Sequence, residues 1–227
     1  MNGTLRYIIS LLMLAVFSAS NAQDKLERQV FVRVGLDLSR FAMPLINDNG
    51  QTGLELSMDT ELAYRYFPTI EAGYSQIKDY TDLHHYDSYG NYFRVGFNYC
   101  MSKYKHRLDR NLFFIGARYG YTGYTHKADL INITNQWGTL ETSFAETQLN
   151  AHWFEGVIGL RGEIVKNFYM GYTIRVKQML SHSEYGNYTP YWIPGFGKAT
   201  KSITIGISYS IFYAIPIKNP KPIGGTK

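Results

Sequence analysis

The sequence lacks the long apolar run that a membrane-spanning helix requires. Its longest apolar stretch, residues 7–17, has eleven residues, whereas a helix needs about 20 to cross a bilayer. This pattern excludes a helical membrane protein. Cysteine is equally scarce, because Cys100 is the only one in the 227 residues. An internal disulfide therefore cannot stabilise the fold.

Charged residues are also few, at 18% of the chain, while 20 Tyr, 13 Phe and 21 Gly are present. Disordered chains are poor in aromatic and β-branched residues, so this composition excludes disorder. The length suits one domain. We expect a folded, all-β chain.

The first 22 residues have the three parts of a secretory signal peptide. Arg6 gives a basic start, residues 7–17 an apolar middle, and Ser20, Asn21 and Ala22 a small-residue cleavage site. We expect export, with a β-barrel domain over residues 23–213. A tail rich in Pro, Gly and Lys follows at 214–227, and both termini are expected on the periplasmic side.

Apolar and polar residues alternate in eight segments, which is the pattern of strands whose two faces differ. In the first, Val30, Val32, Val34, Leu36 and Leu38 share one face. A shift of one residue would invert every face, so each register is strongly specified. The predicted strands are 30–38, 54–67, 70–75, 93–101, 113–121, 154–163, 168–177 and 203–211.

The connections between these segments alternate in length. Short turns are predicted at Pro68-Thr69 and 165–167, and 103–110 is intermediate. Long polar links are predicted at 41–53, 79–91, 123–151 and 179–201. Short periplasmic turns and long outer loops are typical of antiparallel outer-membrane barrels. We predict an eight-stranded, up-and-down transmembrane β-barrel, or ten strands if 123–151 holds another pair.

The polar face distinguishes this barrel from a secreted sandwich or a lipocalin-like barrel, whose interior would be apolar. It combines glycines with Arg and acidic side chains, which suits a narrow lumen filled by paired charges. The apolar face carries no charge within the strands, as contact with lipid requires. The predicted lumen charge network is Arg33, Asp37, Glu55, Asp59, Glu61, Arg65, Glu71, Arg94, Arg118, Glu155, Arg161, Glu163, Arg175 and Lys177.

Residues 29–213 resemble the small outer-membrane barrels of the OmpA and OmpX type. The stretches 66–74 (YFPTIEAGY) and 86–99 (YDSYGNYFRVGFNY) are similar to family 6048 of domains of unknown function, a family of exported Bacteroidota proteins. This resemblance implies the fold and an outer-membrane location. It implies no catalytic residue.

Aromatic residues in the predicted outer loops are the candidate binding residues: Trp137, Tyr188, Tyr191 and Trp192. Aromatic rings in such loops either stack on a glycan or protein partner or pack on one another. Outer-membrane lipid and lipopolysaccharide are the expected surroundings. No nucleic-acid partner is expected.

Enzymatic and metal sites have little support in the sequence. Ser181 and His182, with acids nearby, could join an acyl-transfer site, and His84 with His85 could bind a metal. Polar loops collect these residue types anyway, so we expect no catalytic residue, metal or cofactor. The expected function is a non-enzymatic envelope scaffold or surface-loop binding protein. A small gated pore is the alternative, followed by a lipid-modifying enzyme.

Overall fold

A computed structural model describes residues 30–41, 50–62, 65–81, 84–102, 111–135, 138–183 and 190–218. These residues form ten strands. They are β1 (Val30–Asp37), β2 (Thr52–Thr60), β3 (Tyr66–Tyr80), β4 (His84–Cys100), β5 (Leu112–Asn135), β6 (Gly138–Val165), β7 (Phe168–His182), β8 (Trp192–Ile193), β9 (Gly197–Lys198) and β10 (Ile203–Lys218).

Eight of the strands close into one antiparallel barrel in the order β1-β10-β7-β6-β5-β4-β3-β2. Strands β1 and β10 close the ring, with Val34 opposite Tyr213. The prediction of eight antiparallel strands in an up-and-down barrel is confirmed. β8 and β9 form a separate hairpin within the connection from β7 to β10.

The barrel has its apolar side chains outside and its ionisable side chains inside. On the outer surface, Ile205 is 73% exposed and Tyr172 is 60% exposed, whereas Arg94 and Glu155 inside are 0% exposed. Alternation along each strand separates the two sets, because neighbouring side chains point to opposite faces. The interior therefore combines buried charges with buried aromatic side chains such as Phe67, Phe114 and Trp153.

The first short turn lies earlier than the sequence pattern predicted. β2 ends at Thr60, β3 begins at Tyr66, and Arg65 in the turn has a positive φ of 70°. Pro68, predicted as the turn, is a strand residue opposite Phe97. The β2 ladder ends at the Asp59–Thr69 pair, so the missing N–H of Pro68 falls beyond that ladder, where a strand tolerates proline.

Two predicted outer loops are strands instead. Residues 79–91 belong mostly to β3 and β4, and residues 123–151 belong mostly to β5 and β6. The second region lengthens an existing hairpin, so the ten-stranded ring is wrong. These segments were predicted as loops because they are polar. Beyond the closed ring, however, neither face of a strand needs to be apolar.

We call this four-stranded extension of the barrel the crown; it comprises residues 77–80, 84–89, 125–135 and 138–148. β3 pairs with β2 only up to Gln76, and β6 pairs with β7 only from Ala151. The crown strands therefore pair with one another above the closed ring. The crown lies at the end of the barrel opposite the β2–β3 and β6–β7 turns.

The predicted signal peptide and residues 103–110 lie outside the described residues, as does the tail from 219 onward. β10 continues to Lys218, so the first five residues assigned to the tail, 214–218, are strand residues. In the described part of the chain, no helix is both long and apolar enough to cross a membrane.

Candidate functional site

The middle of the lumen holds a cluster of six charged residues, which we call the central charge cluster: Glu55, Glu71, Arg94, Arg118, Glu155 and Arg175. Arg94 is its centre. Its guanidinium nitrogens lie 2.8 Å from Glu55, 2.9 Å from Glu71 and 2.9 Å from Glu155. One cation thus joins carboxylates from three strands, a geometry that the planar guanidinium fork allows.

Arg175 and Arg118 complete the neutralisation of these carboxylates. Arg175 Nη1 lies 2.7 Å from Glu71 and 3.3 Å from Glu155. Arg118 Nε donates to Glu71 at 3.2 Å, and its other nitrogens donate to Asn98 Oδ1 and to main-chain carbonyls. Buried charges are tolerated only when they are paired and hydrogen-bonded, and this arrangement meets that condition.

A second ion group lies nearer the turns of the barrel. Asp59 accepts hydrogen bonds from Arg33 Nε at 2.7 Å and from Arg161 Nη1 at 2.6 Å. Both guanidinium groups also stack on aromatic rings, Arg33 on Phe67 at 4.6 Å and Arg161 on Phe212 at 3.7 Å. These rings fill the lumen at that end.

The crown end of the lumen is closed by the β8–β9 hairpin, which we call the plug (residues 190–199). Ile193 and Phe196 are buried, and Phe196 packs edge-on against Trp153. Lys177 Nζ donates to the carbonyls of Gly195 and Phe196 at 2.7 and 3.2 Å. The chain therefore fills its own barrel from above.

Gly195 is where the plug comes closest to the barrel wall. It has a φ of +80°, and a Cβ there would lie 2.6 Å from Tyr92 Cγ. Arg94 Nη2 donates to its carbonyl at 3.3 Å. Only glycine combines this backbone conformation with this close approach.

Eleven of the fourteen predicted network residues lie buried in the lumen: Arg33, Asp37, Glu55, Asp59, Glu71, Arg94, Arg118, Glu155, Arg161, Arg175 and Lys177. The other three, Glu61, Arg65 and Glu163, lie at the turns. Arg65 donates to the carbonyl of Ser102 at 2.8 Å, and Glu163 accepts from the backbone N–H of Asn167 at 2.8 Å. Glu61 and Arg65 lie between β2 and β3, where alternation no longer applies, whereas Glu163 is still in β6 opposite the buried Tyr169 but is only half-buried at the end of the barrel.

Of the loop binding candidates, Tyr191 and Trp192 pack against the inner side of the crown. Tyr191 meets the Tyr86 ring edge-on at 5.9 Å, and the backbone N–H of Trp192 donates to Tyr86 Oη at 3.4 Å. Both are half-buried. Both side chains therefore take part in the packing of the plug against the crown. Trp137 and Tyr188 lie outside the residues whose side chains are described.

Three residues that contact the lumen carboxylates were not among the predicted network residues. Arg40, from the loop after β1, lies 3.0 Å from Glu55, and Tyr92 donates to the same carboxylate at 2.6 Å. Trp153 donates to Glu155 at 2.6 Å. Trp153 lies two residues before Glu155 on the same strand, so alternation could have placed it on the inner face. Arg40 lies outside the strands, so alternation could not have placed it.

Two of the residues considered for catalysis, Ser181 and His182, lie together at the end of β7. Ser181 is exposed at the end of β7, and His182 beside it is half-buried. Within the described ranges, no three His, Cys, Asp or Glu side chains are grouped to hold a metal ion. Most of the buried ionisable groups that the structure describes belong to the paired network of the lumen.

Comparison with known proteins identifies a family for this chain. A search of curated proteins found no match. A family model described as Domain of unknown function (DUF6048) matches residues 4–220. Because this match covers nearly the whole chain, the protein belongs to the DUF6048 family.

Proposed function

We propose that this chain is an integral β-barrel protein of a bacterial outer membrane, exported by its signal peptide, that acts without catalysis. Its closed lumen suits an envelope scaffold. Its crown suits contact with partners outside the membrane. Outer-membrane lipid and lipopolysaccharide would surround it, and a surface glycan or protein is the partner class we propose for the crown.

The apolar outer surface carries this proposal. Exposed Ile, Val, Leu, Phe and Tyr side chains occur on every strand of the ring, including Ile70, Val95, Ile115 and Ile207, each at least 40% exposed. A soluble protein rarely exposes more than a few hundred Å² of continuous apolar surface. A barrel without strand edges can meet lipid along its whole circumference.

The filled lumen favours a scaffold over a pore. The plug occupies the crown end, the central charge cluster the middle, and Phe67, Phe114 and Phe212 the other end. Opposite charges pair across the lumen instead of lining an aqueous path. A conducting state would require the plug and several buried ion pairs to move together.

Heat-modifiable electrophoresis of the membrane fraction tests the proposal directly. We expect the unheated protein to migrate faster than the boiled protein and to require detergent for extraction. A mature chain that is monodisperse in buffer without detergent would refute it. Planar-bilayer recordings on the refolded protein separate the alternatives, because steady conductance would favour the gated pore over the scaffold.

The binding role of the crown has its own test. Replacing residues 129–143 by Asn-Gly joins the paired residues Ala128 and Phe144 through a two-residue hairpin turn. We expect this variant to keep heat-modifiable migration and to lose retention on an immobilised surface glycan that has been freed of its lipid. Retention equal to that of the wild type would exclude the crown as the contact surface.

A further inference from the structure

A small cavity lies inside the barrel between the central charge cluster and the Arg33–Asp59–Arg161 group. Its volume is about 20 Å³. Three guanidinium groups border it, from Arg118, Arg161 and Arg175, together with the carboxylates of Asp37, Glu55 and Glu71 and several hydroxyl side chains. A volume of this size accepts one water molecule or one monatomic ion and excludes larger solutes.

The side chains that border the cavity balance in charge, but the neighbouring Asp59 is shared by two arginines, Arg33 and Arg161. The buried arginines of the lumen are Arg33, Arg40, Arg94, Arg118, Arg161 and Arg175, and its buried carboxylates are Asp37, Glu55, Asp59, Glu71 and Glu155. Among the described residues, the lumen therefore holds one more arginine than carboxylates. An uncompensated buried charge is costly, so binding of an anion inside the lumen would be favourable.

The carboxylates bordering the cavity differ in how far they are already neutralised. Both oxygens of Glu71 contact arginines, at 2.7 to 3.2 Å, and both oxygens of Glu55 do so at 2.8 to 3.4 Å. Asp37 binds Ser39 through Oδ1, and its Oδ2 lies 3.7 Å from Arg40. Asp37 is therefore the carboxylate that would repel an anion in the cavity most.

Arg161 has one N–H donor that makes no hydrogen bond with the described residues. Its Nη1 donates to Asp59, while its buried Nε has no acceptor among the described residues. The residue is 6% exposed, and its side chain borders the cavity. A buried donor without an acceptor costs about 1 to 3 kcal/mol, so an occupant able to accept a hydrogen bond would remove that cost.

We propose that this cavity binds a monatomic anion, chloride under ordinary conditions. The ion accepts hydrogen bonds from Arg161 and from the neighbouring guanidinium and hydroxyl groups. It offsets part of the cationic excess of the lumen. Phosphate, sulfate and carboxylate ligands are excluded by size. The ion thereby stabilises the barrel from within.

Anomalous scattering from bromide gives the most direct test. Crystals of the wild-type protein refolded in sodium bromide should show an anomalous peak within hydrogen-bonding distance of Arg161. A water molecule there, with no bromide peak, would overturn the proposal. The result is independent of where the protein resides in the cell, so its failure would leave the outer-membrane proposal standing.

Unfolding in detergent provides a second test that needs no crystals. A ligand at about ten times its dissociation constant shifts the unfolding equilibrium about ten-fold toward the folded state. We expect that shift in sodium chloride relative to sodium gluconate of equal ionic strength, because gluconate is too large for the cavity. Equal stability in the two salts at every concentration would contradict the proposal.

Two variants locate the effect. Arg161→Met removes the donor and should abolish the difference between chloride and gluconate. Asp37→Asn removes a like charge from the cavity wall and should lower the chloride concentration needed for half of the effect. A chloride effect unchanged in both variants would show that the ion binds elsewhere, which also overturns the proposal.

Discussion

Introducing a charge at mid-height on the outer surface tests the orientation of the barrel. Ile174 lies in the middle of β7, 48% exposed, and its strand partners are Ile158 and Ile207. An outward Arg at the bilayer midplane costs about 2 to 4 kcal/mol. We therefore expect Ile174→Arg to lower the free energy of unfolding in lipid vesicles by that amount.

Gln178→Arg is the matched control, because Gln178 is exposed on the same strand and the same face, four residues nearer the crown. The cost of an outward Arg falls to about 0 to 1 kcal/mol near the interface. Urea titration in vesicles, followed by heat-modifiable migration, measures both. If the two variants differ by less than about 0.5 kcal/mol, the range of ordinary surface substitutions, the outer surface does not face lipid.

Three further predictions concern the interior and the crown. Arg94→Met leaves three carboxylates without their shared cation and should destabilise the barrel by about 3 to 5 kcal/mol in a urea titration. Gly195→Val places a branched side chain against Tyr92 and should expose the 183–202 connection to protease while the ring persists. Burial lowers the pKa of His126 below its usual 6.5. Protonation of His126 therefore favours the unfolded crown. As the pH falls below about 6.5, the wild type should lose thermal stability, and the His126→Gln variant should retain it.

Each of these predictions has a control. Lys201→Met removes an exposed cation and should be nearly neutral; equal losses for it and Arg94→Met would show that the central charge cluster adds nothing. Gly123→Val meets no atom within 4 Å of its Cβ and should leave protease resistance intact. For His126, parallel pH profiles of wild type and variant would contradict the assigned cause.

The eight strands and their inward and outward faces follow from the sequence alone. In β1 and β10, apolar residues at every second position leave one consistent register, because a shift of one residue exchanges the two faces. The same parity marked Arg94, Glu155 and Arg175 as lumen residues. Local patterning thus determines which side of the ring each strand residue faces.

Strand ends and loop contacts depend on the tertiary structure. Polar residues at 123–135 and 138–150 resembled a loop, yet they form a ladder because neighbouring strands satisfy their backbone groups. The place of the plug was likewise hidden, since Gly195 and Phe196 meet Tyr92, Lys177 and Trp153 only after the ring closes. Alternation in the sequence shows which face of a strand each residue occupies. The pairing of distant strands determines where each strand ends and which residues fill the barrel.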